Sequence, residues 1–195
     1  MIILYGNDES EDIYMKLMVA SDIHGSGLFC EKLIEAYKAE KPDKLVLLGD
    51  LLYHGPRNDI PGGYDTKKVA SLLNGIKENI LCVRGNCDSE VDQMVLDFPI
   101  RADYMLIYIG GKPVFATHGH LFGEDNPPKM ADGFILLCGH THVPACNDHG
   151  SFLYINPGSV SIPKWNSDRG YIVMTDDEII WKTLGGTPYR VEKLK

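Results

Sequence analysis

Short apolar runs recur along the first half of the chain, and each one ends on a polar residue of the kind that binds metal or phosphate. Residues 16–21, 44–48 and 80–84 read as buried strands. Between them lie two stretches of helical spacing. Cys30, Leu33, Ile34 and Tyr37 form the first, with Ser26 or Gly27 as its start and Pro42 as its stop. Val69, Leu72, Leu73 and Ile76 form the second, capped by Asp65 or Thr66. Loop 54–64, HGPRNDIPGGY, holds too much Pro and Gly for a regular element, and a short helix is predicted over 89–96. Beyond it the pattern changes. Segments 104–109, 113–117, 134–138, 151–155, 170–174 and 178–184 read as short strands separated by turns such as Gly110-Gly111 and Asp176-Asp177. Such an α/β order predicts two mixed sheets packed face to face with helices outside, a four-layer α-β-β-α sandwich. A single domain is expected over 15–195. Residues 1–14 read as an N-terminal extension whose origin the sequence does not decide, with Ile2-Ile3-Leu4 apolar enough for an edge strand.

The composition is that of an ordinary soluble globule, 44% hydrophobic and 24% charged, and 195 residues leave no room for a second large core. The net charge of −8 argues against a nucleic-acid groove, which needs clustered Lys and Arg. No apolar run reaches a membrane-spanning length and no signal-peptide pattern opens the chain, so a cytoplasmic protein is expected. Cys30, Cys82, Cys87, Cys138 and Cys146 are odd in number and scattered, which favours reduced thiols over a disulfide framework.

The residues that end the apolar runs carry the chemistry. In order they are Asp22-Ile23-His24, Gly49-Asp50, Gly85-Asn86, His118 and Gly139-His140-Thr141-His142. In α/β sheets, sites form where strands end and loops begin. An Asp-x-His or a His-x-His alone says little; the ordered set at five strand ends points to a dinuclear metallohydrolase. Asp50 can use one oxygen on each ion, which fixes two metals ~3.5–4 Å apart. Asp22, His24 and one of His140 and His142 would complete the first ion. Asn86, His118 and the other His would complete the second. A water shared by two ions loses its proton near neutral pH and becomes a nucleophile. Oxygen and nitrogen donors without thiolate favour Mn²⁺ or Fe²⁺, with Zn²⁺ or Ni²⁺ as alternatives. Gly49, Gly85 and Gly139 each precede a ligand, where strands turn and backbones crowd.

This ordered set resembles the calcineurin-like metallophosphoesterase signature, which covers almost the whole chain from Met15. The stretches GDLLYHGPRN, VRGNCDSEVDQM, THGHLFG, GHTHVP and NPGSVSIPK are similar to the small bacterial YfcE-like phosphodiesterases within that family. The resemblance implies the sandwich fold, a dinuclear Mn²⁺-type centre, phosphodiesterase activity and a homo-oligomer. It assigns Asp22, His24, Asp50 and His142 to one ion, and Asp50, Asn86, His118 and His140 to the other.

Two departures from the wider family bear on substrate. Many of its phosphomonoesterases read Gly-Asn-His, the His acting as general acid beside the leaving group, where this chain has Gly85-Asn86-Cys87. A thiol with a pKa near 8.5 is a poor proton donor to a departing alkoxide. The phosphatase branch also carries an Arg that grips phosphate at the place of His54. Both changes favour small or activated diesters, whose single charge needs less compensation. Arg57 is a second candidate for that charge, with a solvated loop Arg as the equal alternative. His120 is read as a substrate contact or as a support for a ligand imidazole. Asp88 is read as a helix N-cap, 156–159 as a tight turn with Ser159 a weak substrate contact, His149 as exposed, and Trp165 and Trp181 as packing residues. The alternatives to a phosphodiesterase acting on a small-molecule phosphodiester are a phosphomonoesterase or nucleotide phosphatase, or a non-catalytic interaction scaffold of the same fold. Intact ligand positions speak against the scaffold.

Overall fold

The structure, a computed structural model, describes residues 15–194. The expected extension over 1–14 and its Ile2-Ile3-Leu4 run lie outside the described residues. The first sheet holds six strands in the order β11-β10-β9-β1-β2-β3, with β1 Leu17–Ala20, β2 Lys44–Leu47, β3 Ile80–Cys82, β9 Gly170–Met174, β10 Glu178–Thr183 and β11 Pro188–Lys193. The second holds five in the order β4-β5-β6-β8-β7: β4 Tyr104–Ile109, β5 Lys112–Thr117, β6 Phe134–Leu137, β7 Pro144–Asp148 and β8 Phe152–Pro157. β1, β2 and β3 run parallel, and so do β5, β6 and β8. Their C-terminal ends therefore meet at one rim. That convergence puts residues more than a hundred positions apart into one site.

Period-two alternation sorts the core into layers. Leu17, Val19, Val46, Leu48, Ile172 and Met174 of the first sheet face Ile107, Val114, Ala116, Ile135, Leu137 and Ile155 of the second. On the other face of the first sheet, Met18, Ala20, Leu45, Leu47, Tyr171 and Val173 pack against α1 (Gly27–Glu40) and α2 (Thr66–Asn74). Ser26 caps α1 by accepting from the Phe29 amide, and Asp65 caps α2 by accepting from Lys68. Lys41, in left-handed conformation, closes α1 just before Pro42.

The sandwich of two mixed sheets is as the sequence predicts, and three details differ. The outer face of the second sheet is covered by Phe122 and Met130 of the loop before β6, with no helix there among the described residues. The helix expected over 89–96 narrows to α3, Glu90–Gln93, capped by Ser89 in a capping box with Asp92. β7 and β11 have no counterpart in the sequence reading. Both begin with Pro and form outer strands of their sheets, β7 largely half-buried and β11 largely exposed, where proline's missing N–H costs no ladder bond. No helix among the described residues is long and apolar enough to cross a membrane.

Candidate metal centre

Sequence places the seven expected ligands on five loops, and the rim brings all of them together. β1 leads into Asp22 and His24, β2 into Asp50, β3 into Asn86, β5 into His118, and β6 into His140 and His142. Asp22 Oδ1 lies 3.4 Å from His24 Nε2 and 3.2 Å from His142 Nε2, and the two imidazole nitrogens are 3.3 Å apart. Asp50 Oδ2 sits 3.6 Å from His24 Nε2 on one side and 3.4 Å from His118 Nε2 on the other. Beyond it, His118 Nε2 approaches Asn86 Oδ1 at 3.1 Å and His140 Nδ1 at 3.2 Å. The result is two adjacent clusters joined at Asp50.

The donor chemistry of the first cluster asks for cations. The Nδ1 atoms of His24, His118 and His142 lie 2.8, 2.7 and 2.8 Å from the backbone carbonyls of Tyr53, Leu48 and Ile162. A carbonyl can only accept, so each Nδ1 carries a proton, and each imidazole in its neutral form presents an Nε2 lone pair inward. Asp22 Oδ1 is buried and has no hydrogen-bond donor. Carboxylate oxygens and imidazole nitrogens thus converge inside a buried shell, a donor set that fits two divalent ions. The groups Asp22/His24/His142 and Asp22/Asp50/His118 each place their ligand atoms within 4.8 Å of one another. These are two metal-binding sites compatible with a dinuclear centre.

Proton affinities follow from the same crowding. Burial works to raise the Asp22 carboxyl, yet contacts with His142 and His24 and the His118 charge hold it well below the usual range. Burial works to lower His118, but Asp50 and Asp22 raise it to about 9. His140 is pushed down to about 4 by burial and by the charge on His118. Cys87 Sγ falls in a third close group with His24 and Asp50. Burial and the Asp50 charge push its thiol up to about 12.

Backbone geometry explains the glycines. A Cβ on Gly85 would stand 2.1 Å from Asp50 Oδ1, and one on Gly139 would stand 1.9 Å from Ser21 Oγ. Gly49 has φ +95°, and its Cβ would meet the Gly85 amide at 2.3 Å. The loops that carry the ligands touch through these missing side chains.

Several supporting residues lie elsewhere than the sequence predicts. Asp88 caps no helix: Oδ2 accepts from the amides of Asp50 (2.8 Å) and Gly85 (2.7 Å), and Oδ1 from Leu51 (2.9 Å). It clasps the β2 and β3 loops, and its spacing after Asn86 was the only signal for it. Ser159 is buried and reaches no substrate space; its hydroxyl donates to the Asp22 carbonyl and accepts from Ser161 and Ile162. Asn156 holds the 139–141 loop through Gly139 O and Thr141 Oγ1, a turn role as expected. Trp181 is fully buried, donating to Asn156 O, whereas Trp165 is 87% exposed and packs no core. A cavity of about 800 Å³ opens over the centre, lined by Asp50, Asn86, Cys87, His140, His142, Arg57 and others. His54 and His120 are not among its lining residues. His54 lies edge-on to Tyr53 and Tyr64, and the His120 ring is 5.4 Å from His118. Lys164 and Tyr53 line the cavity without having been singled out by sequence.

Residues 15–178 match the profile of the calcineurin-like phosphoesterase superfamily domain. The chain belongs to that superfamily. Among curated members it is 47% identical over 163 residues to Phosphodiesterase YfcE of Escherichia coli K12, covering 84% of this chain and 89% of that protein. It is 27% identical over 168 residues to the probable metallophosphoesterase YsnB of Bacillus subtilis, covering 83% and 84%. Among solved structures, that of the E. coli phosphoesterase Yfce superimposes with a TM-score of 0.89 at 42% identity, over 93% of this chain and 100% of that one. Vps29 of Cryptosporidium parvum shares the fold alone, with a TM-score of 0.62 at 16% identity over 94% and 100%.

Proposed function

We propose that this chain is a metal-dependent phosphodiesterase of the YfcE-like type, acting on small or activated phosphodiesters. The observation that carries the reading is the convergence of Asp22 Oδ1, His24 Nε2, His142 Nε2 and Asp50 Oδ2, all lone-pair donors, beside a matching set at His118. Asp22, His24, Asp50 and His142 would hold one ion, and Asp50, Asn86, His118 and His140 the other. Such ions supply a nucleophile from water near neutral pH and neutralise phosphoryl charge; all-N/O donors suit Mn²⁺ or Fe²⁺, with Zn²⁺ or Ni²⁺ as substitutes.

The remaining residues set the scope of the reaction. The carbonyls of Tyr53, Leu48 and Ile162 fix the imidazole tautomers, and Asp88 keeps the Asp50 and Asn86 loops in register. The Cys87 amide donates to Asp50 Oδ1 at 2.8 Å, steadying the carboxylate that both ions would share. Its thiol, pushed up to about 12, gives little help to a leaving group that needs a proton. That favours diesters with good leaving groups over monoesters. His120 and His54, set back from the cavity, would act through their neighbours; Arg57 would contact substrate. A cytoplasmic homo-oligomer completes the reading, supported by five free cysteines and by the subgroup resemblance. The test compares bis-p-nitrophenyl phosphate with p-nitrophenyl phosphate under equal Mn²⁺. A higher kcat/KM is expected for the diester, and a clear advantage for the monoester would reverse the assignment.

A further inference from the structure

The cavity over the candidate metal centre is larger than one phosphodiester group requires, and two cations line it. Its volume of about 800 Å³ lies toward the upper end of the ~300–1,000 Å³ typical of sites for whole small molecules. Arg57 and Lys164 both line it, and neither side chain has a hydrogen bond or ion pair with any described residue. In a chain of net charge −8, acidic partners are plentiful. Lys16, Lys68, Lys77, Arg84, Arg101, Lys182 and Lys193 all have one; Lys38 and Lys67 have none among the described residues but lie away from the cavity, so what sets Arg57 and Lys164 apart is that they line it.

Both cations are tied to the site by their backbones. The Lys164 amide donates to the His142 carbonyl at 3.1 Å, and Ser167 closes a turn onto the Lys164 carbonyl. Arg57 stands in the loop that Asn58 pins by donating to His54 O at 2.8 Å. Arg57 and Lys164 are thus two cations lining one cavity beside the candidate metal centre, with no ion pair to a described residue.

We infer that the substrate carries a second anionic group on its non-leaving arm, a phosphate or carboxylate, held by Arg57 and Lys164 beside the metal centre. The inference rests on the phosphodiesterase reading and narrows its substrate class. Guanidinium and ammonium groups suit either anion, and the site does not require a polymer, since one extra anion satisfies both.

Two probes with the same leaving group test it: thymidine 5′-(p-nitrophenyl phosphate), and the same compound bearing a 3′-phosphate. The 3′-phosphate should raise kcat/KM about tenfold, mainly through KM, as expected for charge-assisted contacts at a solvent-facing wall. That ratio should fall in Arg57→Gln and in Lys164→Gln, and reach about one in the double variant. Calorimetry with thymidine 3′,5′-bisphosphate and thymidine 5′-phosphate should show the same ratio and the same loss. A ratio near one in the unaltered protein would overturn the second-anion site while leaving the diesterase reading intact. An equal loss on both probes in the variants would place the two cations on the scissile phosphate instead, and also overturn it. Hydrolysis of neither probe, nor of bis-p-nitrophenyl phosphate, would overturn the diesterase reading and this inference together.

Discussion

The two rims of the sandwich solve the same problem, reversing the chain between strands, with opposite residues. At the rim away from the site, turns around β4, β5, β6 and β8 adopt left-handed backbone at Gly110, Gly111, Gly133 and Gly150, where glycine takes that conformation without strain. Among the described residues, only Lys41, the α1 cap, is a left-handed non-glycine there. At the metal rim the left-handed positions include Asp22 (φ 60°), His24 (48°), Asp50 (56°), His140 (66°) and His142 (62°). Among the described residues, five of the eight non-glycine residues with positive φ are thus expected ligands. Each sits in a conformation that costs about 1 kcal/mol or more and persists only because its surroundings enforce it. The metal rim uses left-handed glycines as well, among them Gly25, Gly49 and Gly119, and at Gly85 and Gly139 the neighbouring loop occupies the place of a Cβ. One rim turns on unstrained glycines; the other adds strained non-glycine residues at the expected ligand positions. Ligand placement explains the difference, because a side chain aimed into a shared centre must leave its strand by an awkward turn.

Glycine-to-alanine substitutions break this comparison most sharply. Gly85→Ala forces a methyl group onto Asp50 Oδ1 and should abolish metal binding and hydrolysis. Gly150→Ala meets no atom within 4 Å and should cost only about 1 kcal/mol of stability, with activity intact. Equal loss of activity in both would show that the rims do not differ as described. The tryptophans give the next effect. Trp181→Ala, between the sheets, should destabilise by about 3–5 kcal/mol, whereas Trp165→Ala at the strained rim should stay within about 0.5 kcal/mol by denaturant unfolding.

The pH dependence separates the rims by charge. His118, raised to about 9 by Asp50 and Asp22 despite its burial, must lose its Nε2 proton to bind an ion. Metal affinity should therefore rise with pH up to about 9, by about tenfold per unit for each proton displaced, and level off above. The metal-free protein should behave the other way. Its His118 contribution is fully present below the ordinary His pKa of about 6.5 and fades as pH rises toward about 9. Metal titrations and thermal melts at pH 6, 7.5 and 9 check both signs. Cys87→His is the smallest effect expected. An imidazole in place of a thiol pushed up to about 12 should raise kcat/KM for poor leaving groups by about tenfold to a hundredfold, and little for p-nitrophenolate. A uniform loss across leaving groups would mean that Cys87 only fills space beside Asn86.

Much of this was legible in sequence because parallel strands impose a simple rule. Apolar runs end at one rim, so the ligands could be read from the residue following each run. Alternation also recovered the facing sheets, and Ser26 and Asp65 were readable as caps. What escaped has a common cause. β7 and β11 bury none of their residues fully and begin with Pro, so they lack the apolar signal of a central strand. Asp88 works through backbone amides of loops far apart in sequence, a role no local pattern encodes. Ser159 and Trp165 were judged by residue type, yet their burial is decided by the loop conformation that carries them. Lys164 became visible only when the cavity did.

The central claim is a shared dinuclear centre bridged by Asp50, and metal stoichiometry tests it most directly. Equilibrium dialysis against Mn²⁺ followed by elemental analysis should give two ions per chain. Asp50→Asn should lose both, together with nearly all hydrolysis of bis-p-nitrophenyl phosphate. A protein that is fully active with one ion per chain, or an Asp50→Asn variant that keeps two, would contradict the account.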